Sequence, residues 1–170
     1  PDAFAARFED AFRGLWCIAV AIVGDRHLAE DVLQEAAVIA LGKLDRFDPD
    51  TSFAAWMGQI VRYTALNHGR RRQRTGARGG NALEPEAASP PAPSSPVTGA
   101  GGLLGDQAAF DDAVTDALHT LEPTARACLL LRTVADLPYQ EISLALGIPE
   151  GTAMSHVHRS RHRMRTLSLI

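Results

Sequence analysis

Residues 75–106 interrupt the chain with a composition that neither a packed helix nor a strand can use. This stretch holds five of the ten prolines and seven of the fourteen glycines, and it has no aromatic residue. Proline fixes φ and removes a donor, and glycine leaves the backbone loose. The segment therefore reads as a flexible linker, with extended character around Pro90-Pro91-Ala92-Pro93. It divides the 170 residues into modules at 1–74 and 107–170. Such a linker predicts that the two modules do not share one core.

Both flanks carry helical periods, and neither shows sustained alternation rich in β-branched residues. Phe4, Phe8, Phe12, Leu15, Trp16, Ala19 and Val20 recur at spacings of three and four, one stripe of an amphipathic helix. Gly24-Asp25 breaks it. A second helix is expected over 27–41, with Leu28, Val32, Ala36, Ile39 and Ala40 inward and Glu30, Asp31, Gln34 and Glu35 outward. After a loop at 43–52, Thr51 or Ser52 can cap a third helix carrying Phe53, Trp56, Ile60, Val61 and Leu66 and ending at Arg70-Arg71-Arg72-Gln73-Arg74. In the second module Phe110, Val114, Ala117, Leu118 and Leu121 define one helix, and Pro123 suits the start of the next. Residues 139–146 form a short helix closed by Gly147, and a last helix runs from Pro149 to Thr166. That is a helix-turn-helix packed through Ile142, Leu146, Ile148 and Val157, with Ser155, His156, Arg159, Ser160 and Arg163 outward. The expected fold class is all-α: two small helical domains joined by a flexible linker, the second a helix-turn-helix.

The net charge of −3 conceals segregation. Residues 51–80 hold six arginines and no acid, and residues 159–170 hold four arginines and no acid. Acids outnumber bases ten to five in residues 1–50 and ten to two in residues 81–158. Concentrated basic blocks suit contact with a polyanion, because phosphates are neutralised by local charge. With 46% hydrophobic and 22% charged residues, wholesale disorder is excluded. No run of about 18 apolar residues is present, so no membrane span is expected. The first residues lack a secretory signal pattern, and Cys17 and Cys128 have no metal-ligand spacing, which points to a reducing cytoplasm.

The segment from Gly24 to Ala36, the Asp45-Arg46-Phe47-Asp48-Pro49 loop and the run from Phe53 to Arg62 resemble region 2 of the extracytoplasmic function (ECF) sigma factors. Leu121-Glu122-Pro123, Tyr139-Gln140-Glu141-Ile142, the run from Leu146 to Thr152, Ser155 and His158-Arg159-Ser160-Arg161 resemble region 4. The similarity covers nearly the whole chain except the linker. It implies a transcription initiation subunit, not an enzyme, with core RNA polymerase, promoter DNA and an anti-sigma factor or other regulator as partners, and no cofactor. The resemblance assigns Glu30, Asp31, Gln34 and Glu35 to polymerase docking. It assigns Arg46, Phe47, Asp48, Arg62, Tyr63, Asn67, Arg70, Arg71, Arg72 and Arg74 to the minus-10 element, which is melted there. Thr152, Ser155, His156, Arg159, Ser160 and Arg163 are assigned to the minus-35 element.

Some positions depart from the family pattern. Arg62-Tyr63 stands where an Arg-Asn pair is common, His156 where a basic residue often follows the serine, and Met154 where lysine is frequent. Trp56 and Phe53, at helical spacing, read first as core. His158 and His162 stand four apart without a nearby carboxylate or thiol, so no metal site is expected. No nucleophile–base set, phosphate loop or paired catalytic carboxylates are present.

Overall fold

The computed structural model describes residues 2–78 and 112–167. Seven α-helices and one 3-10 turn account for the regular structure, and no strand occurs among the described residues. Helix α1 spans Asp2–Val23. Its C-terminal half buries Leu15, Cys17, Ile18, Ala19 and Ala21 around most of its circumference, as a helix with neighbours on several sides must. It stops at Gly24, whose φ of +70° places it in the left-handed region. The Asp25 carboxylate then accepts the Leu28 N–H at 3.1 Å and caps α2, Arg26–Leu41. Helix α2 buries Ala29, Val32, Leu33, Ala36 and Ala40. Of the residues expected inward, Leu28 and Ile39 are only half-buried.

The following loop contains the 3-10 turn Leu44–Arg46. It ends where the Ser52 hydroxyl accepts the Ala55 N–H at 3.2 Å, so Ser52 rather than Thr51 caps α3. Helix α3, Phe53–Arg78, continues four residues beyond its expected end. Thr75, Gly76, Ala77 and Arg78 therefore belong to a helix, not to the linker. One glycine in an established helix costs about 1 kcal/mol, too little to stop it. The remainder of the expected linker lies outside the described residues, as does Phe110.

Helix α4 is Asp112–His119 and α5 is Pro123–Thr133. Pro123 occupies the first turn of α5, where its missing N–H costs nothing, and the Glu122 carboxylate accepts the Ala125 N–H at 3.1 Å. Buried Arg126 donates to the Leu121 carbonyl at 3.0 Å, satisfying a carbonyl of the α4–α5 turn. Helices α6, Tyr139–Leu146, and α7, Glu150–Thr166, form the helix-turn-helix. Gly147 makes the turn at φ +63°, a conformation that strains any residue with a Cβ. The Ser143 hydroxyl donates to the Ile148 carbonyl at 2.6 Å and locks the turn.

The expectation of separate cores is not met. Helices α1 and α3 of the first module pack on α5 and α6 of the second, and one apolar cluster runs from Leu15 and Met57 to Leu131 and Leu146. Gly58 lies flush against Ala145, where an added Cβ would sit 3.1 Å from the Ala145 Cβ. Hydrogen bonds among the described residues also cross the seam, Gln59 donating to the Leu144 carbonyl at 3.1 Å and Arg13 to the Val134 carbonyl at 3.4 Å. A linker's composition limits what the linker itself can bury. It says nothing about whether its two ends carry complementary apolar faces, and here they do.

Candidate functional site

Three surfaces carry the residues singled out by sequence. The first is the outward stripe of α2. Glu30, Asp31 and Gln34 are exposed, as their place opposite Val32, Leu33 and Ala36 requires. Glu35 differs. Its carboxylate lies 2.6 Å from His68 Nε2 and is half-buried, bridging α2 to α3. Asp31, Gln34, Val38 and Leu41 follow at spacings of three, four and three and form one continuous line. Val38 is 70% and Leu41 51% exposed, with Leu44 just beyond. The surface is thus acidic at one end and apolar at the other. The apolar half was not anticipated, although its spacing on the polar stripe was visible in the sequence.

The second surface is the loop and the C-terminal half of α3. Phe47 packs edge-on against Phe53 at 5.6 Å and tilts onto Trp56 at 5.1 Å. The Arg7 guanidinium lies 5.6 Å from the Phe47 ring centroid. Phe53 is buried and Trp56 half-buried, so these aromatics anchor the loop, in keeping with their reading as core. Phe47 is itself half-buried, while Arg46 and Asp48 remain exposed beside it. Asp48 organises the loop, accepting the Asp50 N–H at 3.0 Å. Along α3, Tyr63, Asn67, Arg70 and Arg74 are all exposed and recur at spacings of four, three and four, which sets an aromatic, an amide and two cations in one row. Tyr63 is 61% exposed, with the half-buried Arg62 guanidinium 5.9 Å from its ring centroid. Arg71 is exposed on one flank of this row, and Arg72 is exposed on the opposite side of the helix, within electrostatic reach of Asp25.

The third surface is α7. Ala153, Val157, Ser160 and Met164 are buried at spacings of four, three and four. Ser160, expected outward, is therefore corrected: at 2% exposure it is a packing residue, small enough to fit against the core. Thr152 and His156 are half-buried on the flank of the helix. His156 lies near Glu122, whose carboxyl is held below its usual range. Burial acts to raise it, but the N–H groups of Thr124 and Ala125, the Thr124 hydroxyl and His156 outweigh that. The fully outward positions are Gly151, Met154, Ser155, His158, Arg159, Arg161, His162, Arg163 and Arg165. Ser155 donates its hydroxyl to the Gly151 carbonyl at 2.8 Å, and Arg159 Nε donates to the Ser155 carbonyl at 3.3 Å. Met154 stands on this face as the departure from a frequent lysine, whereas His158 had not been assigned to it. The signal for His158 was the period of the buried set, which turns position 158 away from the core.

Both cysteines are buried, and burial pushes the Cys17 and Cys128 thiols up to about 12. Between the modules, α1, α3, α5 and α6 enclose a cleft of about 430 Å³ lined by Asp10, Arg13, Phe53, Leu131 and Glu141 among others.

The described residues thus join a helix-turn-helix with a cationic outward face to a helical module with an acidic and apolar stripe. Residues 8–75 match the family model described as Sigma-70 region 2, and residues 111–164 match Sigma-70, region 4. The chain is 30% identical over 151 residues to the probable RNA polymerase sigma-C factor of Mycobacterium bovis, covering 84% of this chain and 71% of that one. It is 30% identical over 150 residues to the ECF RNA polymerase sigma factor SigE of Mycolicibacterium smegmatis, covering 87% of this chain and about half, 54%, of SigE. The fold also matches the sigma factor RpoE of Bartonella quintana, solved in complex with the anti-sigma factor NepR. There the TM-score is 0.73 at 22% identity, covering 100% of this chain and 99% of that one. The chain belongs to the sigma-70 family of RNA polymerase sigma factors, in its ECF group.

Proposed function

We propose that this chain binds core RNA polymerase and directs it to promoters bearing particular minus-10 and minus-35 elements. The observation that carries the reading is the pairing, in one chain, of two exposed and chemically opposite stripes: Asp31-Gln34-Val38-Leu41 on α2 and the arginine-rich face of α7. The first suits a protein surface that offers arginines beside apolar side chains; the second suits DNA phosphates. In this reading residues 1–74 dock on polymerase and open the minus-10 element. The row Tyr63-Asn67-Arg70-Arg74 offers a ring to stack on an unpaired base and cations to follow the single strand. Residues 107–170 read the minus-35 element. The chain works by binding in the cytoplasm, where polymerase meets DNA, and catalyses no reaction of its own.

The packed arrangement adds a requirement. The two promoter elements lie about 25 base pairs apart, roughly 85 Å along B-DNA. Modules that share a core cannot reach both, so the seam between α1, α3 and α5, α6 opens before promoter recognition. Residues 79–111 can extend to about 100 Å, enough to cover the separation. An anti-sigma factor that holds the modules together, or covers the α2 stripe, would keep the protein silent.

The test is run-off transcription with purified core polymerase on a fragment library, with start sites mapped. The reading expects discrete start sites that depend on this chain. DNA binding that needs no polymerase, with no change in start sites, would instead indicate a stand-alone repressor or activator.

A further inference from the structure

The outward face of α7 carries one large apolar side chain among its cations. Met154 is 49% exposed, just over one turn into the helix. The N-terminal part of such a helix is what reaches base edges in the major groove. Helical side chains also lean towards the N-terminus, which carries Met154 further in that direction. The Ser155 hydroxyl beside it is turned back to donate to the Gly151 carbonyl, and Arg159 donates only its Nε to the Ser155 carbonyl, leaving the rest of its guanidinium for other contacts. Tyr139, Met154, Ser155, His158 and Arg159 line one open depression of about 540 Å³. The Tyr139 ring on its wall is steadied by the Arg132 guanidinium, 5.4 Å from its centroid.

We propose that Met154, with Tyr139 beside it, reads the 5-methyl group of a thymine in the minus-35 element and so sets part of this protein's promoter preference. The chemistry selects the base. Among the four base pairs, only thymine presents a methyl group in the major groove. A flexible thioether against a fixed ring can close around such a group and exclude water from it. Arg159, Arg161 and Arg163 are all exposed, Arg161 in line with Met154 and the other two on the opposite flank, so cations on both edges of the face can hold the flanking phosphates while the apolar contact forms.

The inference rests on α7 being the minus-35 reader, and the experiment separates the two claims. Wild-type holoenzyme selects its preferred upstream element from a randomised library. Each thymine of that element is then replaced by deoxyuridine, which removes the methyl alone, and holoenzyme affinity is titrated. One such replacement should weaken wild-type binding about fourfold, the effect of one buried methyl. The same replacement should have no effect with Met154→Ala and should keep its effect with Met154→Leu, which restores an apolar contact. Because Met154 is exposed, neither variant disturbs the core. If no deoxyuridine position weakens binding, or the loss is as large in Met154→Ala, the methyl contact is wrong. If Arg159→Ala and Arg163→Ala also leave affinity and its salt dependence unchanged, α7 does not enter the groove, and the parent reading fails with it.

Discussion

Replacing Gly58 by alanine should open the molecule. The new Cβ would meet the Ala145 Cβ at 3.1 Å, Ile18 Cδ1 at 3.2 Å and the Ala145 Cα at 3.4 Å, whereas carbon atoms rest at about 3.5–4.0 Å. Ile18 Cδ1 ends a flexible side chain and can turn aside. Ala145 has no rotamer to change, so its relief requires α6 to move away from α3. Overpacking of this kind costs about 1–3 kcal/mol, which shifts the ratio of open to closed molecules by roughly 5- to 150-fold. Alanine also favours a helix interior over glycine by about 0.5–1 kcal/mol, but this gain is equal in both forms and leaves their ratio unchanged. Energy transfer between dyes on Ala6→Cys and Gln140→Cys, both exposed positions on different modules, reports the opening. Efficiency should fall in the Gly58→Ala background while thermal stability of the first module is maintained. The same variant should form holoenzyme at lower concentration. Unchanged energy transfer together with a lowered melting temperature would show the strain absorbed inside the closed form, and the seam would not be the element that opens.

Asp31→Lys with Gln34→Lys should abolish binding to core polymerase, measured by co-purification, without loss of helicity by circular dichroism. Val38→Asp should weaken it too, because the apolar half of the stripe then carries an unpaired charge. Glu35→Lys is a poorer probe, since it also removes the bridge to His68. Arg159→Ala and Arg163→Ala should each lower the slope of log affinity against log salt by about 1 while weakening all DNA sequences alike. Cys17 and Cys128 should resist alkylation in the native protein at pH 8 and react on unfolding, as followed by mass spectrometry. Their thiols stay protonated in the fold to about 12 but ionise from about 9 when unfolded. The unfolded state therefore binds fewer protons above pH 9, and stability should decline between pH 9 and 12, read from denaturant titrations.

The helices, their order and the helix-turn-helix were legible in the sequence because each depends on short-range chemistry. The three-and-four spacing of Phe4, Phe8 and Phe12, the Glu122-Pro123 start and the Gly147 turn are local signals. The acidic stripe of α2 was legible for the same reason, since Glu30, Asp31 and Gln34 stand opposite Val32 and Leu33. The inward place of Ser160 was within reach too: it completes the period of Ala153, Val157 and Met164, but its hydroxyl suggested an outward role. Other features depend on residues far apart in the chain. His68 meets Glu35 only because α3 lies along α2. Phe47 is enclosed only where α3 delivers Phe53 and Trp56 beneath it. The shared core exists because Gly58 and Ala145, 87 positions apart, are both small enough to let α3 and α6 touch. Periodicity along a chain identifies the face a helix must bury. Shape complementarity between distant faces selects the partner that buries it, and that choice belongs to the tertiary structure alone.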